Sequence, residues 1–590
     1  MQPHPRLHVL TLLIWIAIGG VLRFANLAAK PPWNDEFATV VFSLGNSFRT
    51  VPIDKIIRLE TLLQPLQPNP DAGISDVIQH LMTESTHPPI YFVLTHLWMK
   101  LFPTVDSLAS FWAARSLSAL FGVAAIVAIF GLAYVAFRSL PVAQIASAMM
   151  AVSPYGIYQA QEARHYSLAI LLVIASLCCL IIAIRNIQNY KYLSIGLALF
   201  WIFINALGIA IHYFFVFNII AVVLVLISFW LTDIYKWLQF KTENKYSQSP
   251  LRNQLVYWYR IYAVVIIAFI TSVVWLPIWR SVPGNKVTQW IFDDNSLNLF
   301  KSLSQFIAWL ITMFVLLPIE GVNIQLMLLS GSILIGFIVW LIPIIIEGIK
   351  IQNKNPKIQL EFQVLLRYIW VAIALLFTIT FSFNADLTIA ARYQFFYFPT
   401  VLLLTAAALG TSWNTYEYLD FRESVERTRQ RKLVYSLNLK GKTPIILLLF
   451  LGLLGSLTVI SNFAYQKPDR PDLLAPIINE ISQPSTLIVT TYFTHEQIGE
   501  MMGLALELKH RYHLTHKPSE NPPSFLLAHL GSNSQPINTL KKNIAQLPKP
   551  LTLWVINFFP TAEPKIEGCH IAPKTRDKMN GYKYRIYHCL

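Results

Sequence analysis

Charge is scarce in this chain. Asp, Glu, Lys and Arg make up 13% of its 590 residues, about half the share of an average soluble domain, and that shortage excludes an ordinary solvated enzyme. Cysteine is scarcer still, with four residues, so a disulfide-dense secreted scaffold is excluded as well. Acid is the rarer sign: 31 acidic residues stand against 46 basic ones, a formal net charge of +15. The basic residues are scattered between apolar runs and form no continuous stripe, which argues against nucleic acid as a partner. The sequence has no phosphate-cradling glycine loop, no dinucleotide fingerprint, no zinc-ligand spacing and no internal repeat of about 20–50 residues.

What it has instead is apolar sequence, 55% of all residues, with 13% aromatic. Runs of about 18 apolar residues or more read as membrane spans, and about thirteen apolar segments stand out. Two of them fit helices lying in the interface. Pro88–Phe102 is short and carries His96 and Lys100, and Lys301–Pro318 is parted from the next run only by Ile319-Glu320-Gly321. The remainder give about eleven spans, near 7–28, 109–137, 140–158, 166–184, 192–211, 213–232, 258–279, 324–347, 365–384, 394–411 and 443–463. With a cytoplasmic N-terminus, the inside loops then hold Arg138; Arg185 and Lys191; Lys236, Lys241, Lys245 and Arg252; Lys350, Lys354 and Lys357; and Arg422, Arg427, Arg429, Arg431 and Lys432. These are the most basic connections, as the positive-inside rule requires. Counting both doubtful segments as spans would put 350–357 outside. The expectation is a multi-pass α-helical protein of the plasma (inner) membrane, in contact with membrane lipid, with its C-terminal tail extracytoplasmic. The first span shows no small-residue cleavage site and reads as a retained helix rather than a removed signal peptide.

Two segments exceed simple connectors. The first outside loop, 29–108, is long, and in it Ile53, Ile56, Ile57, Leu62 and Leu63 repeat at helical spacing among Asp54, Lys55, Arg58 and Glu60. That pattern predicts interfacial helices. The tail predicts strands over Ser485–Thr491 and Leu551–Phe559 and a helix over His495–Tyr512. The chain therefore reads as a membrane domain, 1–464, followed by a small extracytoplasmic α/β domain, 465–590. Cys569 and Cys589 lie in that tail, where a disulfide and two free thiols are equally open readings. Cys178 and Cys179 lie inside a span and read as packing residues.

Under this topology every unusual polar motif falls on the outside face. Trp33-Asn34-Asp35-Glu36 places two adjacent carboxylates just past the first span, where a charge without a partner costs several kcal/mol. Asp35 suits general-base work on an acceptor hydroxyl, and an N-cap or a salt bridge is the plain alternative. Glu36 could join Asp35 in catalysis by positioning it, or support a divalent metal with it, and a structural role is equally open; no other cofactor is implied. In Thr86-His87-Pro88-Pro89-Ile90-Tyr91 the prolines fix the backbone around His87. This suits a substrate contact by His87 and Tyr91, and it equally suits the start of an interfacial helix. Arg164 and Arg392 are permanently charged forks that fit a phosphate or pyrophosphate; either would also serve as an interfacial anchor or pair with Glu162. Glu162, His165, Tyr166, His212 and Tyr393 are further substrate-contact candidates, as is Tyr213, against the alternative of an interfacial aromatic belt.

Taken in order, Trp33-Asn34-Asp35-Glu36, His87-Pro88-Pro89-Ile90-Tyr91, Ser153-Pro154 leading to Gln161-Glu162-Ala163-Arg164-His165-Tyr166, and Ala391-Arg392-Tyr393 give the chain a family likeness. It resembles the family 39 glycosyltransferases of the GT-C class, bacterial relatives of protein O-mannosyltransferases and lipid A aminoarabinose transferases, over roughly residues 1–410. The resemblance implies a GT-C fold and transfer of a sugar from a polyprenyl-phosphate donor to a lipid, glycan or protein acceptor outside the membrane. It implies Asp35 as base, His87 at the donor or acceptor site, and Arg164 and Arg392 on the lipid phosphate. Inversion at the anomeric carbon is expected, since no second nucleophilic carboxylate is evident. A histidine stands where the aminoarabinose transferases carry a lysine, so lipid A specificity does not carry over, and the tail beyond 465 matches no family. Three other readings stand beside this one: a transporter or flippase for lipid-linked sugars, a polysaccharide polymerase or ligase, and a non-catalytic assembly or receptor protein. A transporter would more often show repeated halves.

Overall fold

The computed structural model describes residues 5–243, 256–281, 289–292, 298–318, 322–413, 442–463, 467–481, 485–515, 522–531, 535–559, 563–572 and 578–590. The chain falls into two compact units, one of 1–25, 118–283 and 289–465, the other of 26–117, 284–288 and 466–590. Residues 29–108 thus fall in the same unit as 466–590.

The first unit is helical. Among the described residues seven helices are long and apolar enough to cross a membrane: Arg6–Phe24, Phe111–Phe137, Tyr166–Gln188, Phe215–Tyr235, Ile324–Asn353, Gln359–Ser382 and Thr443–Ile460. An eighth crossing exists if Leu140–Ala151 and Pro154–Ala160, bent by 56°, count as one. Among the described residues, seven or eight of the eleven expected spans thus meet the test of length and apolarity. The other three expected spans are the shorter apolar helices Ile195–Ile211, Tyr259–Val273 and Phe398–Trp413. Their shortening has local causes. Ser194 caps the first, accepting from the Leu197 N–H, and residues 391–396 wind into a 3-10 turn ahead of the third. Lys245, Arg252, Ile319-Glu320-Gly321 and the cluster Arg422, Arg427, Arg429, Arg431 and Lys432 lie outside the described residues.

The bend at 152–154 also has a sequence cause. Pro154 lacks the N–H that would continue the helix. Ser153 restarts it, its Oγ accepting from the Gly156 N–H at 3.1 Å and donating to the Met313 carbonyl at 2.7 Å. The carbonyls freed at Met150 and Ala151 accept from the buried Arg23 guanidinium at 2.8 and 3.1 Å. A cation belongs at a helix C-terminus, where the peptide dipoles present partial negative charge. Packing elsewhere is close: a Cβ at Gly348 would come 2.3 Å from the Ala408 carbonyl oxygen, so the helices Ile324–Asn353 and Phe398–Trp413 meet backbone to backbone. The outward surface is apolar, with Leu328, Ile335 and Val339 exposed by 61%, 65% and 66%, a face suited to hydrocarbon rather than water.

The second unit is built on a sheet whose strands run in the order β1 (Ile56–Ile57), β3 (Ser524–His529), β2 (Thr486–Tyr492), β4 (Leu551–Ile556), β7 (Tyr582–Cys589), β5 (Cys569–Ile571), with β6 (Lys578–Met579) paired to β7. The pairs β2–β3 and β2–β4 are parallel; β1–β3, β4–β7 and β5–β7 are antiparallel. Parallel strands covered on both faces read as unbroken apolar runs, and Leu487-Ile488-Val489 and Leu553-Trp554-Val555-Ile556 are all buried. The helix His495–Thr515 follows β2, and Leu540 and Ile544 of the helix Pro536–Ile544 pack into the core with Leu487, Leu526 and Leu553. Cys569 and Cys589 form a disulfide that ties β5 to β7.

One expectation is overturned in this unit. Ile56 and Ile57, read as part of a helical repeat, form β1 and pair with Leu526 and Phe525; only Leu59–Leu63 is helical there. Two residues are too few to display an alternating pattern, and the pairing partner lies in the tail.

Candidate active site

In the second unit the helix Asn34–Ser43 begins directly after Trp33, with Asp35 and Glu36 in its first turn, where carboxylates complement the positive end of the helix dipole. The two acids have different fates. Glu36 is fully buried. Its Oε1 accepts from Arg115 Nε at 2.7 Å, its Oε2 from Arg115 Nη2 at 2.8 Å, and Oε2 accepts again from Lys467 Nζ at 2.8 Å. Arg115 Nη1 donates to the carbonyls of Leu27 and Lys30 at 2.8 and 2.9 Å. Burial alone would raise the Glu36 carboxyl, but Arg115 and then Lys467 outweigh it and hold the group well below the usual carboxylate range. Both oxygens thus accept from buried cations. Among the described residues no group of three or more His, Cys, Asp or Glu side chains is arranged to hold a metal ion.

Asp35 is half-buried, and its carbonyl accepts from Thr39 Oγ1 at 3.0 Å. His87 lies with its Nδ1 2.9 Å from Ser85 Oγ and its ring 5.9 Å from that of Phe92. Tyr91 is fully buried at the start of the helix Ile90–Met99. The tail adds His495, whose ring stacks on Phe48 at 5.1 Å and meets Phe42 edge-on at 6.0 Å. Burial lowers the His495 imidazole below its ordinary value, against the pull of Glu84 and Asp35.

The first unit gathers the remaining candidates. Gln161 to His165 form a tight turn between Pro154–Ala160 and Tyr166–Gln188. It is pinned by Gln161 Nε2, which donates to the Leu22 and Ala25 carbonyls at 3.1 and 2.9 Å, and by Ser118 Oγ, which donates to the Arg164 carbonyl at 2.5 Å. Glu162, Arg164, His165 and Tyr166 are all buried. The His165 ring lies 4.4 Å from that of His212, which is 5.4 Å from Tyr166 and 5.1 Å from Phe395. Phe214 extends the chain of rings, 5.3 Å from His212 and 4.9 Å from Tyr393. A guanidinium stands at either end, Arg164 5.8 Å over Tyr166 and Arg392 5.4 Å over Tyr393. Stacking on a tyrosine face orients the fork. His212 Nδ1 accepts from the Phe214 N–H at 3.0 Å, which leaves Nε2 as its proton-bearing nitrogen in the neutral ring. Arg164, His165, Tyr166, His212, Arg392 and Tyr393 therefore form one cluster, able to offer two fixed cations and imidazole donors to an anion. Tyr213 rings instead with Trp275, at 5.4 Å.

Sequence reasoning overlooked Arg115, Lys467 and His495. Arg115 carried a readable signal, a guanidinium five residues into an apolar helix, where charges are rarely without a role. For Lys467 and His495 the signal lies in tertiary contact alone.

No protein-family profile matches the chain, and no curated protein sequence does. Solved structures do match. ArnT from Cupriavidus metallidurans bound to undecaprenyl phosphate is similar with a TM-score of 0.47 and 11% identity, over 98% of this chain and 97% of that one. The apo Archaeoglobus fulgidus oligosaccharyltransferase is similar with a TM-score of 0.44 and 12% identity, over 84% of this chain. The A. fulgidus oligosaccharyltransferase AglB in complex with an inhibitory peptide and a dolichol-phosphate is similar with a TM-score of 0.42 and 11% identity. This chain spans 64% and 63% of the length of those two archaeal proteins.

Proposed function

We propose that this protein is a membrane glycosyltransferase that moves a sugar from a polyprenyl-phosphate-linked donor to a hydroxyl of a lipid, glycan or protein on the extracytoplasmic face. The reading rests on the ordered motifs of the first 410 residues. The observation that carries it is the division of labour between two neighbouring acids. Glu36 is buried and neutralised by Arg115 and Lys467, whereas Asp35, one residue earlier, is half-buried on the same first turn. A base works from a fixed position within hydrogen-bond reach of the proton it takes, and the bonds of Glu36 tie down the turn that carries Asp35.

In this mechanism Asp35 takes the proton of the acceptor hydroxyl as its oxygen attacks the anomeric carbon. The bond from that carbon to the phosphate oxygen breaks with inversion, and polyprenyl phosphate leaves. Arg164 and Arg392 stabilise the charge on the departing phosphate. His87, Tyr91, Glu162, His165, Tyr166, His212 and Tyr393 hold the substrates.

Two measurements test this. Mass spectrometry of glycolipids and glycoproteins from cells lacking the chain is expected to show an unglycosylated species that names the acceptor. Asp35→Asn is expected to fail to restore the product in those cells while the purified variant still binds undecaprenyl phosphate. Full restoration by Asp35→Asn would remove the base, and with it the mechanism.

A further inference from the structure

His495 is the first residue of the tail's long helix, His495–Thr515. That helix lies against the helix bearing Asp35, and two glycines make the approach close. At Gly499 an added Cβ would stand 3.2 Å from Asn34 Oδ1 and 3.5 Å from Phe37 Cβ; at Gly503 it would stand 3.5 Å from Phe37 Cε2. His495, Gly499 and Gly503 are spaced by four residues and so share one helix face. On the opposing helix the glycines meet Asn34 and Phe37, while Asp35, Thr39 and Phe42 follow i, i+4, i+7 and share a different face. Phe42 is the residue of that face that His495 touches, and Phe48 covers one flat side of the imidazole.

The polar atoms are treated differently from the faces. The ring contacts fix the plane of the imidazole, yet neither nitrogen has a hydrogen-bond partner among the described residues. The carboxylates within electrostatic reach are Asp35 and Glu84. Glu84 is already engaged, accepting from Ser47 Oγ at 2.6 Å and lying 3.2 Å from His80 Nδ1. An imidazole clamped by aromatic rings, with its nitrogens left for something else, is pre-organised for a ligand: its orientation entropy is lost on folding and not on binding.

We propose that His495 is a substrate contact supplied by the tail, its ring nitrogens hydrogen-bonding a hydroxyl-bearing acceptor and presenting that hydroxyl to Asp35. The inference rests on the assignment of Asp35 as base. It gives the tail a part in the transfer step itself, and it makes the acceptor a molecule with at least one further polar group beside the reacting hydroxyl.

The test uses the full-length protein in cells lacking the chromosomal copy, with the glycosylated product quantified by mass spectrometry at matched protein levels. His495→Phe keeps the stacking and removes both nitrogens; it is expected to lower product formation about tenfold, the effect of one ligand hydrogen bond. His495→Gln keeps a polar group and is expected to retain more product than His495→Leu, which has similar bulk. The purified variants are expected to keep the wild-type unfolding midpoint and wild-type affinity for undecaprenyl phosphate. Wild-type product from His495→Phe overturns the inference, as does equal product from the Gln and Leu variants, a comparison that stands even where the Phe variant does not fold. Loss of product in step with stability or undecaprenyl phosphate affinity also overturns it, since His495 would then act through the fold. Loss of product with Asp35→Asn but not with His495→Phe refutes this inference alone. Full product with Asp35→Asn refutes the base assignment beneath it.

Discussion

The Glu36 triad makes an ordering prediction that can be worked from charge alone. Glu36 sits between Arg115 and Lys467, all three essentially excluded from solvent, so one negative charge faces two positive ones. Glu36→Gln removes the anion that Arg115 and Lys467 share and leaves both buried cations without it. Breaking a buried pair from one side costs about 3–5 kcal/mol, and the residual repulsion places this variant at the upper end. Lys467→Met removes one charge-assisted hydrogen bond, about 1.5–3 kcal/mol, but leaves the bidentate Arg115–Glu36 pair balanced, so its cost falls at the lower end. For a unit of this size each kcal/mol moves the unfolding midpoint by roughly 2–4 °C, which gives about 6–20 °C for Glu36→Gln. Thermal unfolding of the full-length protein in detergent, read by proteolysis within 465–590, reports on the correct unit. The double variant is expected to be no worse than Glu36→Gln alone. The carboxyl is held below its unfolded value of 4.5, so the triad's contribution is complete above that pH and is lost as pH falls through the lower folded value. A larger loss from Lys467→Met than from Glu36→Gln would refute the charge argument.

Three further outcomes follow from other parts of the fold. Burial pushes the Asp469 carboxyl from 3.8 up to about 6, so this group lowers stability as pH rises between those values; Asp469→Asn is expected to stabilise the tail by about 2–3 kcal/mol at pH 8 and by nothing near pH 3, measured as unfolding midpoints across pH. The disulfide closes a loop with a separation of 20 residues, worth about 3 kcal/mol by chain entropy; Cys569→Ser with Cys589→Ser is expected to lower the denaturant midpoint of the tail accordingly. Gly348→Ala sets a Cβ against the Ala408 carbonyl and is expected to cost about 1–3 kcal/mol through overpacking, seen as a lower detergent unfolding temperature, while Gly331→Ala on the same helix meets open space and is expected to cost nothing.

The elements legible in the sequence were those whose cause is local. The apolar run at 166–184 became Tyr166–Gln188, and the strands expected from Ser485 and Leu551 begin at Thr486 and Leu551. The elements that were misread depend on partners far along the chain. Apolarity persists across Ser153-Pro154, so hydropathy saw one span where proline geometry and Arg23 make two helices. Ile56 and Ile57 are apolar wherever they pair, and only the edge of β3 makes them a strand. The same holds for the candidate site. Asp35 and Glu36 look alike in sequence, and the partners of the buried Glu36, Arg115 and Lys467, come from 79 and 431 residues away. The cluster of Arg164, His165, Tyr166, His212, Arg392 and Tyr393 was legible as motifs because each belongs to a short polar island between apolar runs.

The strand β1 sets a condition on manufacture. It covers the otherwise bare rim of β3, and the ribosome releases it more than four hundred positions before that rim exists. Until then two isoleucines wait unpaired; afterwards Phe525 and Leu526, if produced without them, would present open backbone to any neighbouring chain. A tail expressed alone is therefore expected to stick to itself, and a chimera is expected to work only when the early loop and the late domain are exchanged as a set.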